Sequence, residues 1–212
     1  MQLYLVRHGE TEWNAAHRIQ GSTDIPLNET GRAQALATGR LLARRPWDAI
    51  YASPLSRAYE TASIIAGEVG LAAPVAVPAI VERNYGEAEG LTGEEIDRRF
   101  PGETPVPGRE TREEVIARVL PALLELAERH PGQSVLVVGH GGVIRSVLYS
   151  LDPERWHGPI TNGSVHSLRY EAGSFELIAF DDPIDIESLD TGTEELDVQN
   201  ELEYRESTGG PA

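Results

Sequence analysis

The chain has 212 residues, 40% hydrophobic and 25% charged, proportions that suit one soluble domain with a full apolar core. It has no cysteine and no lysine, all 18 basic side chains being arginine; this excludes disulfides, thiolate metal sites, a cysteine nucleophile, lysine Schiff bases and a lysine-bearing phosphate loop. The formal net charge is −16, with eleven acids and one Arg in residues 181–212, an acidic balance that argues against nucleic acid or an anionic membrane as partner.

The N-terminus shows neither a basic leader nor a cleavage site. No apolar run approaches the ~18 residues of a membrane span. A cytoplasmic enzyme or binding protein is expected.

In chain order, Leu3–Val6 reads as a buried strand. Residues 28–45 read as a helix capped by Asn28, with Ala33, Leu36, Ala37 and Leu41 sharing its apolar face. Residues 47–53 form a short strand, and 54–70 a helix with Pro54 near its first turn and Gly70 at its end. Residues 74–78 resemble an edge strand. A long helix follows over 111–130, with a kink or break expected at Pro121. Residues 134–140 read as the strongest strand, apolar on both faces from Val135 to Val138, as a parallel strand covered on both faces would be. A helix over 141–151 and an antiparallel hairpin from 164–170 and 174–181 complete the body.

Strands alternating with helices predict an α/β protein: a three-layer α/β/α sandwich with a mostly parallel central sheet. One domain is expected over 1–182, followed by an acidic tail over 183–212. The tail reads as a solvated extension. Packing on its own body or on a second subunit, as in a homodimer, is the alternative.

Two strand tips stand out. Arg7–His8–Gly9 ends the first strand, and His140–Gly141–Gly142 ends the strand over 134–140. In open α/β sheets ligands bind outside the carboxyl ends of the strands. The glycines would let backbone N–H groups come close to a ligand. Arg57 falls in the first turn of a helix, where the dipole disfavours a cation unless an anion binds beside it. One histidine at a strand tip is ordinarily a hydrogen-bonded structural residue; two such tips with two arginines point to an anion pocket. A metal site is the competing reading. The other four histidines are scattered without ligand spacing, and Arg7 beside His8 would repel a cation.

The stretch LVRHGETEWN resembles the signature of the histidine phosphatase superfamily, the phosphoglycerate mutase-like family. The similarity continues through RIQGSTDIPLNETGRAQA, YASPLSRAYETA, VERNYGEAEGLT, VVGHGGVIR and TNGSVHSL, most of residues 1–180. It implies a phosphoglycerate mutase-like fold. It also implies that His8 accepts a phosphoryl group, that Arg7, Arg57 and His140 hold that group, and that Glu82 protonates the leaving oxygen. Further substrate or phosphate contacts are implied for Asn14, Gln20, Gly21, Arg83, Tyr85 and Gly141.

The chemistry is coherent. Phosphoryl transfer spreads charge over oxygens, so catalysis is mostly positioning and charge stabilisation. Two guanidiniums can fork those oxygens. A neutral imidazole can attack, a protonated second histidine can donate, and neither metal nor other cofactor is required.

Glu82 follows Ala79–Ile80–Val81 and is expected at a further strand tip; Glu87 and Glu89 are the competing acids nearby. Ala88 stands where the family pattern carries an aromatic residue.

A phosphatase acting on small phosphorylated metabolites, with inorganic phosphate as product, is the favoured reading. The stretch between Gly90 and Arg112 is short for a mutase, which would carry a longer basic insertion there. Cofactor-dependent mutase chemistry and a non-catalytic phosphate-binding protein are the alternatives. Specificity is assigned to loops 15–27, 83–111 and 155–163. Arg98, Arg99, Arg109 and Arg112 are candidate substrate contacts, with a solvated helix face as the stronger reading.

Overall fold

The computed structural model describes residues 1–102, 104–153 and 158–181. The tail expected over 183–212 lies outside the described residues, as does part of the 155–163 loop.

Six strands form one sheet: β1 (Gln2–Arg7), β2 (Ala49–Ala52), β3 (Val75–Ala76), β4 (Ser134–Gly139), β5 (Val165–Glu171) and β6 (Ser174–Ala179). Their spatial order is β3-β2-β4-β1-β5-β6. The β1–β4, β4–β2 and β2–β3 pairs are parallel, and β5 and β6 close the sheet as an antiparallel hairpin. This is the three-layer α/β/α sandwich read from the sequence.

Period-2 alternation between two cores explains why β1 is apolar from Leu3 to Val6 and β4 from Val135 to Val138. Leu3, Leu5, Val135 and Val137 face one core, packed with α5 (Arg112–Arg129) and α6 (Gly141–Leu151). Tyr4, Val6, Leu136 and Val138 face the other, packed with α3 (Ser56–Val69). Burying such side chains on both faces supplies most of the stabilisation, at roughly 25 cal/mol per Å² of apolar surface.

Several helix ends follow the sequence signals. Asn28 caps α2 (Glu29–Leu42) by accepting the Gly31 N–H, and Gly70 ends α3 in the left-handed region. Thr111 opens α5 with a capping box.

The apolar face expected for α2 is wrong. Ala33 and Ala37 are exposed, Leu36 and Leu41 half-buried, while Gly31, Ala35, Thr38, Gly39 and Leu42 are buried. The helix packs through its small residues, which a search for large apolar side chains overlooks. Pro121 does not break α5; it lies inside the helix on an exposed position. The short helices α1 (Glu12–Ala15) and α4 (Gly93–Arg99), and 3₁₀ turns over Pro78–Ile80 and Gly86–Ala88, carry no apolar period long enough to be read in advance.

Gly9 and Gly31 are where the first strand tip meets α2. A methyl group on either would overlap the other segment's backbone: Gly31 carbonyl for Gly9, Glu10 carbonyl for Gly31. Gly31→Ala is therefore expected to cost about 1–3 kcal/mol of unfolding free energy. Gly67→Ala, in α3 with nothing near its missing Cβ, should be neutral or stabilising by up to about 1 kcal/mol. Urea denaturation of the two variants checks the pair; equal stabilities would show that the Gly9–Gly31 contact can relax.

Candidate active site

Because β1 and β4 are parallel neighbours, with Arg7 opposite Gly139, their tips emerge side by side. The His8 N–H donates to the Gly139 carbonyl at 3.0 Å, carrying the pairing one residue past β1. The His8 and His140 rings then lie 5.2 Å apart, edge to face. Arg7, His8, Arg57, Glu82 and His140 are all buried, none more than 1% exposed.

His8 Nδ1 is 2.6 Å from the Gly9 carbonyl oxygen, and Arg57 Nε donates to His8 Nε2 at 3.3 Å. A carbonyl can only accept and a guanidinium can only donate. Together they select the neutral tautomer with its proton on Nδ1 and its lone pair on Nε2. Burial, then the charges of Arg57 and Arg7, hold His8 well below the usual imidazole pKa, against a smaller opposite pull from the Gly9 carbonyl. Asn162 Nδ2 donates to the His8 carbonyl at 2.9 Å, fixing the backbone at this point.

Arg57 donates from Nη2 to the Gly21 carbonyl at 2.8 Å and from Nη1 to the Thr23 carbonyl at 2.9 Å. Burial lowers its pKa to about 10, with Glu82, Asp24 and Glu89 opposing the shift, so it stays charged at neutral pH. The anion expected beside this helix start is partly the protein's own. Asp24 accepts the Ser56 N–H and hydroxyl at 2.8 and 2.7 Å, doing what Leu55 at the N-cap position cannot. Arg7 Nη1 donates to the Ile160 carbonyl at 2.5 Å.

Glu82 does not sit at a strand tip: the Ala79–Ile80 stretch is part of a 3₁₀ turn. Arg118 holds the segment by donating to the carbonyls of Ala79, Val81 and Glu82 at 2.7, 2.8 and 3.2 Å, while gripping the Glu110 carboxylate with a fork. No spacing rule would have singled out Arg118. The Glu82 carboxylate accepts from the N–H groups of Arg83, Gly142 and Val143 at 2.7, 3.1 and 3.1 Å. It thus closes the positive end of α6, next to His140.

Both glycine explanations change accordingly. A Cβ on Gly142 would press on Glu82 Oε1 and the Tyr85 hydroxyl, each 2.8 Å away. Gly9 makes room for α2 and donates its N–H to Thr61 Oγ1. At both positions the close neighbours of a Cβ are protein atoms.

His140 is subject to the same effects. Burial, then Arg57, His8, Arg7 and Arg118, keep its pKa well below the usual value. That direction favours a neutral ring, with one N–H to give, in the ligand-free protein.

Asn14 and Gln20 are buried and bonded to Thr11: Asn14 Oδ1 accepts the Thr11 N–H and hydroxyl, and Gln20 Nε2 donates to Thr11 Oγ1. Gly21 supplies the carbonyl that holds Arg57, and Gly141 begins α6. Arg83 and Tyr85 line a separate cavity of about 430 Å³ with Arg109, Arg112 and Tyr149. Arg98 and Arg99 are exposed, and Arg99 pairs with Glu87. Ala88 is buried among Ile19, Tyr85, Ile96 and Phe100. Among the described residues no group of three or more His, Asp or Glu is placed to hold a metal ion, and no helix is long and apolar enough to cross a membrane.

Fold and site together define an α/β protein with two histidines and two arginines buried together at the carboxyl edge of its sheet. Residues 3–183 match the model of the histidine phosphatase superfamily (branch 1), and the chain belongs to that family. It is 40% identical over 169 residues to the uncharacterized phosphatase PhoE of Bacillus subtilis, covering 78% of this chain and 86% of that one. It is 36% identical to the metal-independent phosphoserine phosphatase of Arabidopsis thaliana, covering 78% and 74%. A 2,3-bisphosphoglycerate-dependent phosphoglycerate mutase of Cytophaga hutchinsonii is 30% identical, covering 88% and 91%. The solved structure of Bacillus stearothermophilus YhfR superposes with a TM-score of 0.75 at 33% identity, covering 87% of this chain and 99% of that one.

The buried histidines make stability depend on pH. His166, inside the sheet between Ser164 Oγ and the Asp181 N–H, is lowered to about 3, chiefly by burial and then by Arg145. Unfolded histidines take up protons near pH 6.5 while the folded ones stay neutral. The unfolded state therefore binds more protons as pH falls from 7 towards 3, and stability declines over that window. His166 alone accounts for about 2 kcal/mol by pH 5. Calorimetry between pH 7 and 5 should show Tm falling; a flat Tm would mean these rings are charged in the folded state.

Proposed function

We propose that the protein is a phosphomonoesterase that hydrolyses small phosphorylated metabolites through a phosphohistidine on His8. One observation carries this reading: the Nε2 lone pair of a neutral, tautomer-locked imidazole is presented beside the Arg57 guanidinium, in a pocket also lined by Arg7 and His140.

In the first half-reaction the Nε2 lone pair attacks phosphorus, the ester P–O bond breaks, and the leaving oxygen takes a proton from Glu82. In the second, water attacks phosphorus, the P–N bond breaks, Glu82 takes the proton from water, and inorganic phosphate leaves. Arg7, Arg57 and the N–H of His140 stabilise the equatorial oxygens. Three backbone N–H donors favour the Glu82 carboxylate in the ligand-free site; the like charge of an incoming phosphoryl group favours the protonated form the first step needs.

The positive charge of the site resides in guanidiniums, so activity should survive exhaustive chelation. Asn14, Gln20 and Gly21 support the pocket through Thr11 and Arg57. The relatives support a small phosphorylated substrate. Mutase relatives support a second reading, in which the phosphoryl group returns to a sugar acid. An assay primed with bisphosphoglycerate separates the two.

Quenching during turnover should trap an acid-labile, alkali-stable phosphoenzyme that is absent from His8→Ala; full activity in that variant would overturn the nucleophile. Glu82→Gln should lower kcat on alkyl phosphates far more than on nitrophenyl phosphate, whose leaving group departs as the anion. Equal losses on both would make Glu82 a structural cap of α6 only.

A further inference from the structure

We propose that Glu89 is a positioning residue for Arg57, acting through the loop that carries Gly21, Ser22 and Thr23. The inference rests on Arg57 being a phosphoryl contact, as read above.

The loop has no helix or strand of its own. Yet its carbonyls at Gly21 and Thr23 are what aim the Arg57 guanidinium, at 2.8 and 2.9 Å. Something must hold those carbonyls still. The amides on the loop's other side run to one carboxylate: Ser22 N–H donates to Glu89 Oε1 at 2.9 Å, and Thr23 N–H donates to Oε2 at 2.9 Å. Both hydroxyls join them, Ser22 at 3.2 Å and Thr23 by a short bond. The Tyr85 N–H adds a fifth donor at 3.2 Å, tying the carboxylate to its own loop.

A Cβ at position 21 would overlap Glu89 Oε1, so Gly21 is what allows this approach. The loop is thus a bridge, with its amides on an anion and its carbonyls on a cation. Burial alone would raise the Glu89 pKa; the donors from Thr23, Ser22 and Tyr85 more than offset it, keeping the carboxylate ionised. Its charge in turn supports that of the buried Arg57. Glu89 touches no atom that reacts. Its effect on catalysis is through the aim of Arg57, where a displacement of about 1 Å costs as much as ~10²-fold in rate.

The test uses the full chain with nitrophenyl phosphate as substrate and vanadate as inhibitor, below the Tm of every variant. Glu89→Ala should lower kcat by ~10–10²-fold and weaken vanadate inhibition in parallel. Thr23→Val, which removes one hydroxyl donor, should shift both in the same direction by less, and it answers the question if Glu89→Ala fails to fold. Added to Arg57→Ala, the Glu89→Ala change should weaken vanadate no further, because the group it positions is already gone. Additive losses in the double variant, or vanadate inhibition at the wild-type level in both Glu89→Ala and Thr23→Val, would overturn the proposal. If the underlying reading of Arg57 is what fails, the signature differs: Arg57→Ala alone would leave vanadate inhibition unchanged.

Discussion

The parallel pairing of β1 with β4, in the register that sets Arg7 opposite Gly139, is the constraint on which the site depends. It brings together two histidines separated by more than 130 residues and points both past the same sheet edge. A slip of one residue would turn every side chain of β1 to the opposite core. Leu3 and Leu5 would exchange places with Tyr4 and Val6, two layers that differ in shape. The register that packs the core is therefore the register that builds the pocket.

Inside the pocket, charge rather than apolar packing sets the chemistry. Arg7 and Arg57 are buried beside two imidazoles, an arrangement that destabilises any further positive charge. Burial first, and then these charges, lower the pKa of both imidazoles, which favours the neutral ring with its lone pair. Glu82, Asp24 and Glu89 offset burial enough for Arg57 to remain a cation. The carboxylates are themselves held by backbone amides and hydroxyls. The charged side chains are thus already held in place in the ligand-free protein, as the proposed mechanism requires of groups that lower a barrier without reorganising.

Much of this was legible in the order of residues. An apolar run ending in Arg–His–Gly, answered by another ending in Gly–His–Gly–Gly, marks two tips of one sheet edge, and the tips do meet. The central strands were readable because burial on both faces leaves no polar position. Less visible were the features that rest on size or on backbone. The buried face of α2 is made of Gly31, Ala35, Thr38 and Gly39, which carry little hydrophobic signal. Glu82 enters from a 3₁₀ turn held by Arg118, a contact between side chain and carbonyls that no periodicity encodes. Gly9 and Gly142 make room for α2 and for Glu82, contacts that no sequence pattern shows. The lowered pKa of His140 comes from its burial and then from the charges around it, and so becomes visible only once the chain is folded.

The central claim is that His8 stands ready as a neutral nucleophile, with its proton on Nδ1 and a lone pair on Nε2. Nitrogen-15 NMR of histidine-labelled protein, with His8 assigned by comparison with His8→Ala, tests it in the ligand-free state at neutral pH. The account predicts one protonated nitrogen, Nδ1, coupled to the Gly9 carbonyl, and an unprotonated Nε2. A His8 that proves to be imidazolium, or that carries its single proton on Nε2, would contradict it.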